Sequence, residues 1–311
     1  MTTRTGDFRI GLRAGVSEWQ RDLPGLARWA VEAGFELLEL PARSEGGGSC
    51  RPESGQEVRS PGVEDLKAVQ AAGVDVICVD VLDWPALVST DSGRRKAAVD
   101  RNAAYFHLMA AHGVRVFLAV ATPEDPHHPP RKNFELVVDS YGQLAEVAEK
   151  LGAVVVLEGW PGEGPYYANL CCNPEQCRAL LKAVPGKGLG LCYDPSHLIR
   201  MGIDHARFLE EFATRVGHVH AKDAEVLTDN LYEVGLYQRT LTEPPWAFGE
   251  LAWRYTIPGH GVARWPYIFR MLQLAGYKGS VSLELEDAEF SGSPALEQTG
   301  LLAGMTYLRN A

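Results

Sequence analysis

Four apolar stretches of this chain each end in a side chain able to hold a divalent cation: Val-Val-Val-Leu-Glu158, Leu-Gly-Leu-Cys-Tyr-Asp194, Val-Gly-His-Val-His220 and Ser-Val-Ser-Leu-Glu284. Three carboxylates and one neutral imidazole, carried out at the ends of buried strands, can meet around one ion. Acids scattered over surface helices cannot. Such a set leaves a divalent site with a net charge of about −1 and room for water or two substrate oxygens in an octahedral shell. Its oxygen-rich character favours Mn²⁺, with Mg²⁺, Co²⁺ and a catalytic Zn²⁺ as the other ions it suits.

Strand alternation shows which side chains can share the interior with these ligands. If Glu158 faces inward, so do Val156 and Val154, while Leu157 and Val155 face the opposite way. By the same rule Asp194 groups with Cys192 and Gly190, Glu284 with Ser282 and Glu286, and His220 with His218 and Lys222. The polar residues fall on one face each time. A buried row of ionisable groups is costly unless something compensates it, and a bound cation does so. A purely structural reading, in which each acid caps a helix or pairs with an arginine, is open for any one of them. It is harder to hold for four ligand-type residues ending four successive strands.

The elements that must position these side chains are visible as a repeated beat. Short apolar runs at 8–12, 35–40, 74–81, 114–121, 153–158, 188–194, 216–222 and 280–286 alternate with helix-like segments at 23–33, 63–72, 94–112, 134–151, 174–183, 206–213, 265–275 and 293–308. Glycines that suit a helix C-terminus follow several of them: Gly34, Gly73, Gly113, Gly152 and Gly276. Eight strand–helix units predict a closed (β/α)₈ TIM barrel, one domain over residues 1–311, with its chemistry at the carboxyl ends of the strands. An open doubly wound sheet is disfavoured because no Gly-x-Gly-x-x-Gly follows the first strand. Two long segments break the beat, 42–62 after the second strand and 224–255 after the seventh. Both overhang the expected active face, the first as a lid or surface loop, the second as a substrate wall or a contact for a homo-oligomer or partner subunit.

Composition excludes some roles. A net charge of −10 argues against a nucleic-acid binder, which needs clustered Lys and Arg. The opening Met-Thr-Thr-Arg-Thr-Gly-Asp-Phe8 has no signal-peptide core, and no run approaches the roughly 20 apolar residues of a spanning helix. A cytoplasmic protein without membrane contact is expected. Six cysteines, Cys50, Cys78, Cys171, Cys172, Cys177 and Cys192, form no Cys-x-x-Cys pair and are expected to be reduced thiols.

Several motifs together resemble one family. They are Leu-Glu158 on strand five, Tyr-Asp194-Pro-Ser-His197 on strand six, His218-Val-His220-Ala-Lys222-Asp223 on strand seven, Pro258-Gly-His-Gly261 followed by Trp265, and Leu-Glu284-Leu-Glu286-Asp287 on strand eight. With Gly34-Phe-Glu-Leu-Leu-Glu39 on strand two, the sequence is similar to the xylose isomerase-like TIM-barrel superfamily. Within it, the resemblance is to the sugar phosphate isomerase/epimerase group, which includes tagatose and psicose epimerases, inosose dehydratases and hydroxypyruvate isomerases. The resemblance implies metal ligands at Glu158, Asp194, His220 and Glu284, the same four that alternation selects, and a substrate contact at His197. It further implies that Glu158 and Glu284 double as acid and base, exchanging a proton on carbon beside a carbonyl while the metal holds the resulting enediolate.

The expected activity is therefore isomerisation or epimerisation of a small keto-sugar or related polyol ketone. A lyase of the same fold, inosose dehydratase-like or cleaving 3-keto-glycosides, is the alternative, and a noncatalytic sugar- or partner-binding barrel subunit the alternative of another class. DNA-cleaving relatives carry extra histidines where this chain has Val79-Asp80-Val81-Leu82-Asp83 and Ala119-Val120-Ala121-Thr122, so a single-metal site is expected. Lys222, Glu286, His260 and Trp160 are further candidate substrate contacts, with Trp246 and Trp253 as stacking or packing residues. His218 is expected to be a hydrogen-bonded core residue, and His107, His112, His127 and His128 to lie in solvent or packing. No glycine loop for phosphate is evident, which favours an unphosphorylated carbohydrate.

Overall fold

A computed structural model of the chain describes residues 8–15, 17–44, 58–162, 167–236 and 240–311. The apolar runs form the strands β1 (Ile10–Arg13), β2 (Leu37–Leu40), β3 (Asp75–Asp80), β4 (Val116–Val120), β5 (Val154–Glu158), β6 (Leu189–Tyr193), β7 (Val216–Ala221) and β8 (Val281–Leu283). Each lies parallel to its sequence neighbours, and β1 pairs with β8 through Ile10–Val281, Gly11–Ser282 and Leu12–Leu283, which closes the barrel. The strands are short, so ligand positions fall at their limits. Glu158 is the last residue of β5, Asp194 follows β6 directly, Lys222 follows β7 and Glu284 follows β8.

Alternation divides the core in two. Cys78, Val116, Leu118, Val156 and Cys192 pack together inside the barrel, with Ile77, Trp84 and Val154 against them. The opposite strand faces, including Val155, Leu157, Leu191, Val219 and Ala221, join helix residues such as Leu144, Leu180, Leu209 and Leu301 in the layer between barrel and helices. A charged residue on an inward position thus has either apolar neighbours or another charge around it.

The helices start where short polar side chains can accept their first amide hydrogens: Asp22, Asp91, Asn173, Asp204 and Ser293 all cap in this way. The helix Leu23–Ala33 ends on Gly34 at φ 91°, a conformation that glycine adopts without a Cβ clash. Helices also appear where none is expected from the sequence, the most important being the six-residue Pro195–Arg200 immediately after β6.

The two long segments differ. Of 42–62, the described part pairs Arg43–Ser44 with Val58–Arg59 in antiparallel fashion, while 45–57, including Cys50, lies outside the described residues. The segment after β7 builds a small antiparallel sheet of Asp223–Val226, Trp253–Thr256 and Gly249–Glu250, with a helix at Thr228–Val234. Among the described residues, no helix is long and apolar enough to cross a membrane. The five described cysteines are free and buried.

Gly188, just before β6, marks a close approach of a helix to the barrel. A Cβ there would stand 1.9 Å from the Ala145 carbonyl oxygen of the helix Pro130–Lys150. Gly188→Ala must push helix and strand apart and is expected to cost about 1–3 kcal/mol. A urea midpoint equal to that of the wild type would show that the packing is looser than described.

Candidate metal centre and active site

One ligand atom from each of Glu158, Asp194, His220 and Glu284 lies within 4.8 Å of every other. The four strand ends therefore do converge. His220 Nδ1 is 2.6 Å from Glu158 Oε1 and 3.4 Å from Glu284 Oε2. Asp194 uses Oδ1 to cap the helix Pro195–Arg200, accepting from the Ser196 amide at 2.8 Å and hydroxyl at 2.6 Å. Its Oδ2 is buried without a hydrogen bond. A buried carboxylate oxygen left over after capping is what a cation site requires, and a buried polar atom of this kind calls for a partner. The donor set of three carboxylates and an imidazole fits a divalent ion of the Mg²⁺, Mn²⁺ or Zn²⁺ type.

Lysine and arginine surround the quartet. Lys222 Nζ lies 2.7 Å from Glu284 Oε2, 2.9 Å from Glu286 Oε2 and 3.3 Å from Asp194 Oδ2. Asp223, the other acid beside it, instead accepts from the amides of Gly259, Ala263 and Ala224 and from the Trp265 indole. Glu284 Oε1 is 3.1 Å from Arg13 Nε, so both of its oxygens face a cation. Burial alone would raise the Glu284 carboxyl, but Lys222 and His220 outweigh it and hold the group far below the ordinary range. Burial likewise opposes ionisation of Glu158, and His220 and His197 reverse the effect. His220 shows the converse. Burial disfavours its imidazolium, yet the carboxylates of Glu39, Glu158 and Glu284 raise it well above the usual histidine value. Cys192 beneath is pushed up to about 12, chiefly by burial, and stays a neutral thiol.

A second layer of charge lies under the quartet. Arg13, on β1, forms a two-pronged pair with Asp80 at 3.0 and 3.2 Å and also binds Glu39. Glu39 accepts from His218 Nε2 at 2.8 Å and meets His220 Nε2 at 3.1 Å through each oxygen. His218 is thus a hydrogen-bonded core residue, as alternation suggests. The sequence reading missed Arg13, Glu39 and Asp80 as parts of the site. Their signal was weak: an arginine just past the expected end of the first strand, and acids at the ends of strands that lack histidines.

The mouth has one aromatic wall. His197 sits on the helix Pro195–Arg200 with Nε2 3.6 Å from Glu158 Oε1 and 3.5 Å from Asp194 Oδ2. Its Nδ1 is 2.7 Å from the Tyr255 hydroxyl, which also accepts from Arg200 Nη1 at 2.6 Å. Arginine only donates, so the Tyr255 hydrogen is directed to Nδ1, and a neutral His197 carries its proton on Nε2, facing the acids. Arg200 is itself packed 4.4 Å over Trp253, and Lys222 Nζ lies 4.7 Å over the Tyr255 ring. The segment after β7 thereby contributes Tyr255 to the site. Trp253 acts as a packing residue behind it, and Trp246 is half-buried. Trp160 is half-buried two residues past Glu158, its carbonyl accepting from Asn169 Nδ2 at 3.1 Å. His260 is exposed with its ring against Phe290, and the structure does not bring it into the cluster. His107 and His127 are exposed, and His112 and His128 half-buried.

Comparison with known proteins agrees with this architecture. Residues 27–311 match the family model described as xylose isomerase-like TIM barrel. The uncharacterized protein YfiH of Bacillus subtilis (strain 168) is 32% identical over 161 residues, covering 50% of this chain and 48% of that protein. An inosose dehydratase of Geobacillus thermodenitrificans (strain NG80-2) is 27% identical over 165 residues, 52% of this chain and 50% of the other. The chain spans about half the length of these curated relatives. Among solved structures, 3-keto-D-glucoside 4-epimerase of E. coli aligns with TM-score 0.66 and 17% identity over 98% of this chain and 100% of that one. D-psicose 3-epimerase of Clostridium cellulolyticum H10 aligns with TM-score 0.65 and 16% identity over 97% and 98%. At such identities the structural likeness speaks for the fold. With a closed barrel whose strand ends gather the acids, and a family match that runs from within the helix Leu23–Ala33 to residue 311, the chain belongs to the xylose isomerase-like TIM-barrel family.

Proposed function

We propose that the chain is a cytoplasmic, divalent-metal-dependent isomerase or epimerase of a small, unphosphorylated keto-sugar or related polyol ketone, with Glu158, Asp194, His220 and Glu284 as the metal ligands and Mn²⁺ as the first choice of ion. The observation that carries the reading is the convergence of these four groups, two of them glutamates from β5 and the end of β8, on one buried point. A divalent ion held there supplies Lewis-acid polarisation of a substrate carbonyl and the oxygen beside it.

The protein's own residues supply the proton chemistry. Inversion at a carbon next to a ketone requires one base to remove the proton and a second group to return one to the opposite face. Glu158 and Glu284 are ionised, and they approach the same point from strands three apart around the ring. Either can act as the acceptor, and the proton it takes makes it the donor of the reverse direction. The Nε2 proton of His197 and the Lys222 ammonium offer donors to substrate oxygens, while Glu286 offers an acceptor to a hydroxyl. Trp160, half-buried two residues past Glu158, is the candidate aromatic surface for the apolar face of a sugar, while buried Tyr255 holds His197 in place.

A lyase is the second reading, and the inosose dehydratase names among the relatives favour it. Elimination begins with the same proton removal and differs in what leaves next. Incubation of the Mn²⁺-supplied protein with ketoses, inososes and 3-keto-glycosides in D₂O separates the two. A rearranged sugar carrying deuterium at the epimerised carbon supports the proposal, and loss of water or of an aglycone supports the lyase. Glu284→Gln is expected to lower kcat by about 10²- to 10⁴-fold while the protein stays folded; full activity in that variant would remove Glu284 from the proton transfer. Because a cation that binds only the folded chain stabilises it, Mn²⁺ at a hundred times its Kd should add about 2.7 kcal/mol relative to EDTA-treated protein. Identical melting curves with and without Mn²⁺ would contradict the ligand assignment.

A further inference from the structure

The imidazole of His220 is held at both nitrogens by carboxylates of different kinds. Nδ1 faces the quartet, 2.6 Å from Glu158 and 3.4 Å from Glu284. Nε2 faces downward, 3.1 Å from each oxygen of Glu39. Glu39 is inaccessible to solvent and is not one of the four groups that meet at the mouth. We infer that Glu39 is a positioning residue for the metal centre: it fixes the ring plane of His220 and holds its proton on Nε2, so that Nδ1 is the nitrogen offered to the ion. The inference rests on the reading of His220 as a ligand.

A metal-bound histidine must be neutral, with one nitrogen carrying hydrogen and the other a free lone pair. Without the ion both ring nitrogens face a carboxylate and both can carry hydrogen. With Glu158 and Nδ1 given to the ion, Glu39 would be the carboxylate left on the ring, and because an ionised carboxylate only accepts, Nε2 would keep the hydrogen. The two oxygens of Glu39 are equidistant from Nε2, which centres the ring on the carboxylate axis and resists rotation to either side. Glu39 in turn cannot swing away. Arg13 binds it from β1 while gripping Asp80 of β3 with both guanidinium prongs, and His218 Nε2 holds Oε2 at 2.8 Å. Asp80 is fixed further by the Ala42 amide at 3.1 Å. The chain Asp80–Arg13–Glu39–His220 therefore runs across four strands and sets the direction of one lone pair. Carboxylates that orient a ligating histidine in this manner typically account for ten- to a hundredfold in metal affinity.

The test is calorimetric titration of Mn²⁺ into metal-free wild type, Glu39→Gln and Glu39→Asp. Wild type is expected to bind one ion. Glu39→Gln keeps the shape but can turn an NH₂ toward Nε2, and should bind Mn²⁺ about ten to a hundred times more weakly, while Glu39→Asp, which retains the acceptor, should recover part of the loss. Equal affinity in wild type and Glu39→Gln overturns the inference. A wild type that binds no Mn²⁺ instead overturns the ligand assignment on which it rests. Should Glu39→Gln fail to fold, ¹⁵N-histidine spectra of the wild type loaded with Zn²⁺ decide the matter. His220 with hydrogen on Nε2 and a metal-shifted Nδ1 supports the role of Glu39, and metal at Nε2 refutes it.

Discussion

The structure depends on an excess of buried negative charge at one end of a barrel. Glu158, Asp194 and Glu284 are brought within a few ångströms of one another by strands that have no freedom to place them elsewhere. Their neutralisation within the chain is shared. Lys222 divides itself among Asp194, Glu284 and Glu286, and Arg13 among Glu39, Asp80 and Glu284. Two permanent cations thus serve more carboxylates than they can satisfy, and His220 is drawn toward its charged form. A divalent ion is the economical remedy, since it can meet several oxygens at once where an ammonium meets them singly.

The rest of the architecture can be understood as support for that point. Apolar packing of Cys78, Val116, Leu118, Val156 and Cys192 excludes water from below. The Arg13–Glu39–Asp80 group lies beside this packing in register and reaches the mouth through His220 and Glu284. Above, the helix Pro195–Arg200 does two things with one short turn of chain. Its cap fixes Asp194, and its body carries His197 and Arg200 to Tyr255. The small sheet after β7 is joined to the site by that tyrosine.

Much of this was legible in the sequence because the relevant constraints are local. Apolar runs separated by capped, glycine-terminated helices mark the eight strands, and a period of two along 154–158 or 216–222 sorts inward from outward side chains. The four converging residues follow from those two facts. What could not be read were the relations between strands. Arg13 lies at the end of β1, past the apolar run that announces the strand, and nothing near it in sequence shows that Glu39 and Asp80 will be its partners. The helix holding His197 is too short to leave a periodic signature. The 224–255 segment carried aromatics that suited either a binding wall or a docking surface, and only tertiary pairing of Asp223–Val226 with Trp253–Thr256 brings Tyr255 inward. Lys222 illustrates the same limit: it pairs with Glu284 and Glu286 from the end of another strand, while its sequence neighbour Asp223 is held by the backbone amides of Gly259 and Ala263.

The central claim is that one ion belongs among Glu158, Asp194, His220 and Glu284. Anomalous diffraction from crystals grown with Mn²⁺, recorded at the manganese edge, tests it most directly. The account predicts a single strong peak with ligand bonds to those four side chains, through Nδ1 in the case of His220. No peak there, or a manganese bound elsewhere while the four side chains turn apart, would contradict it.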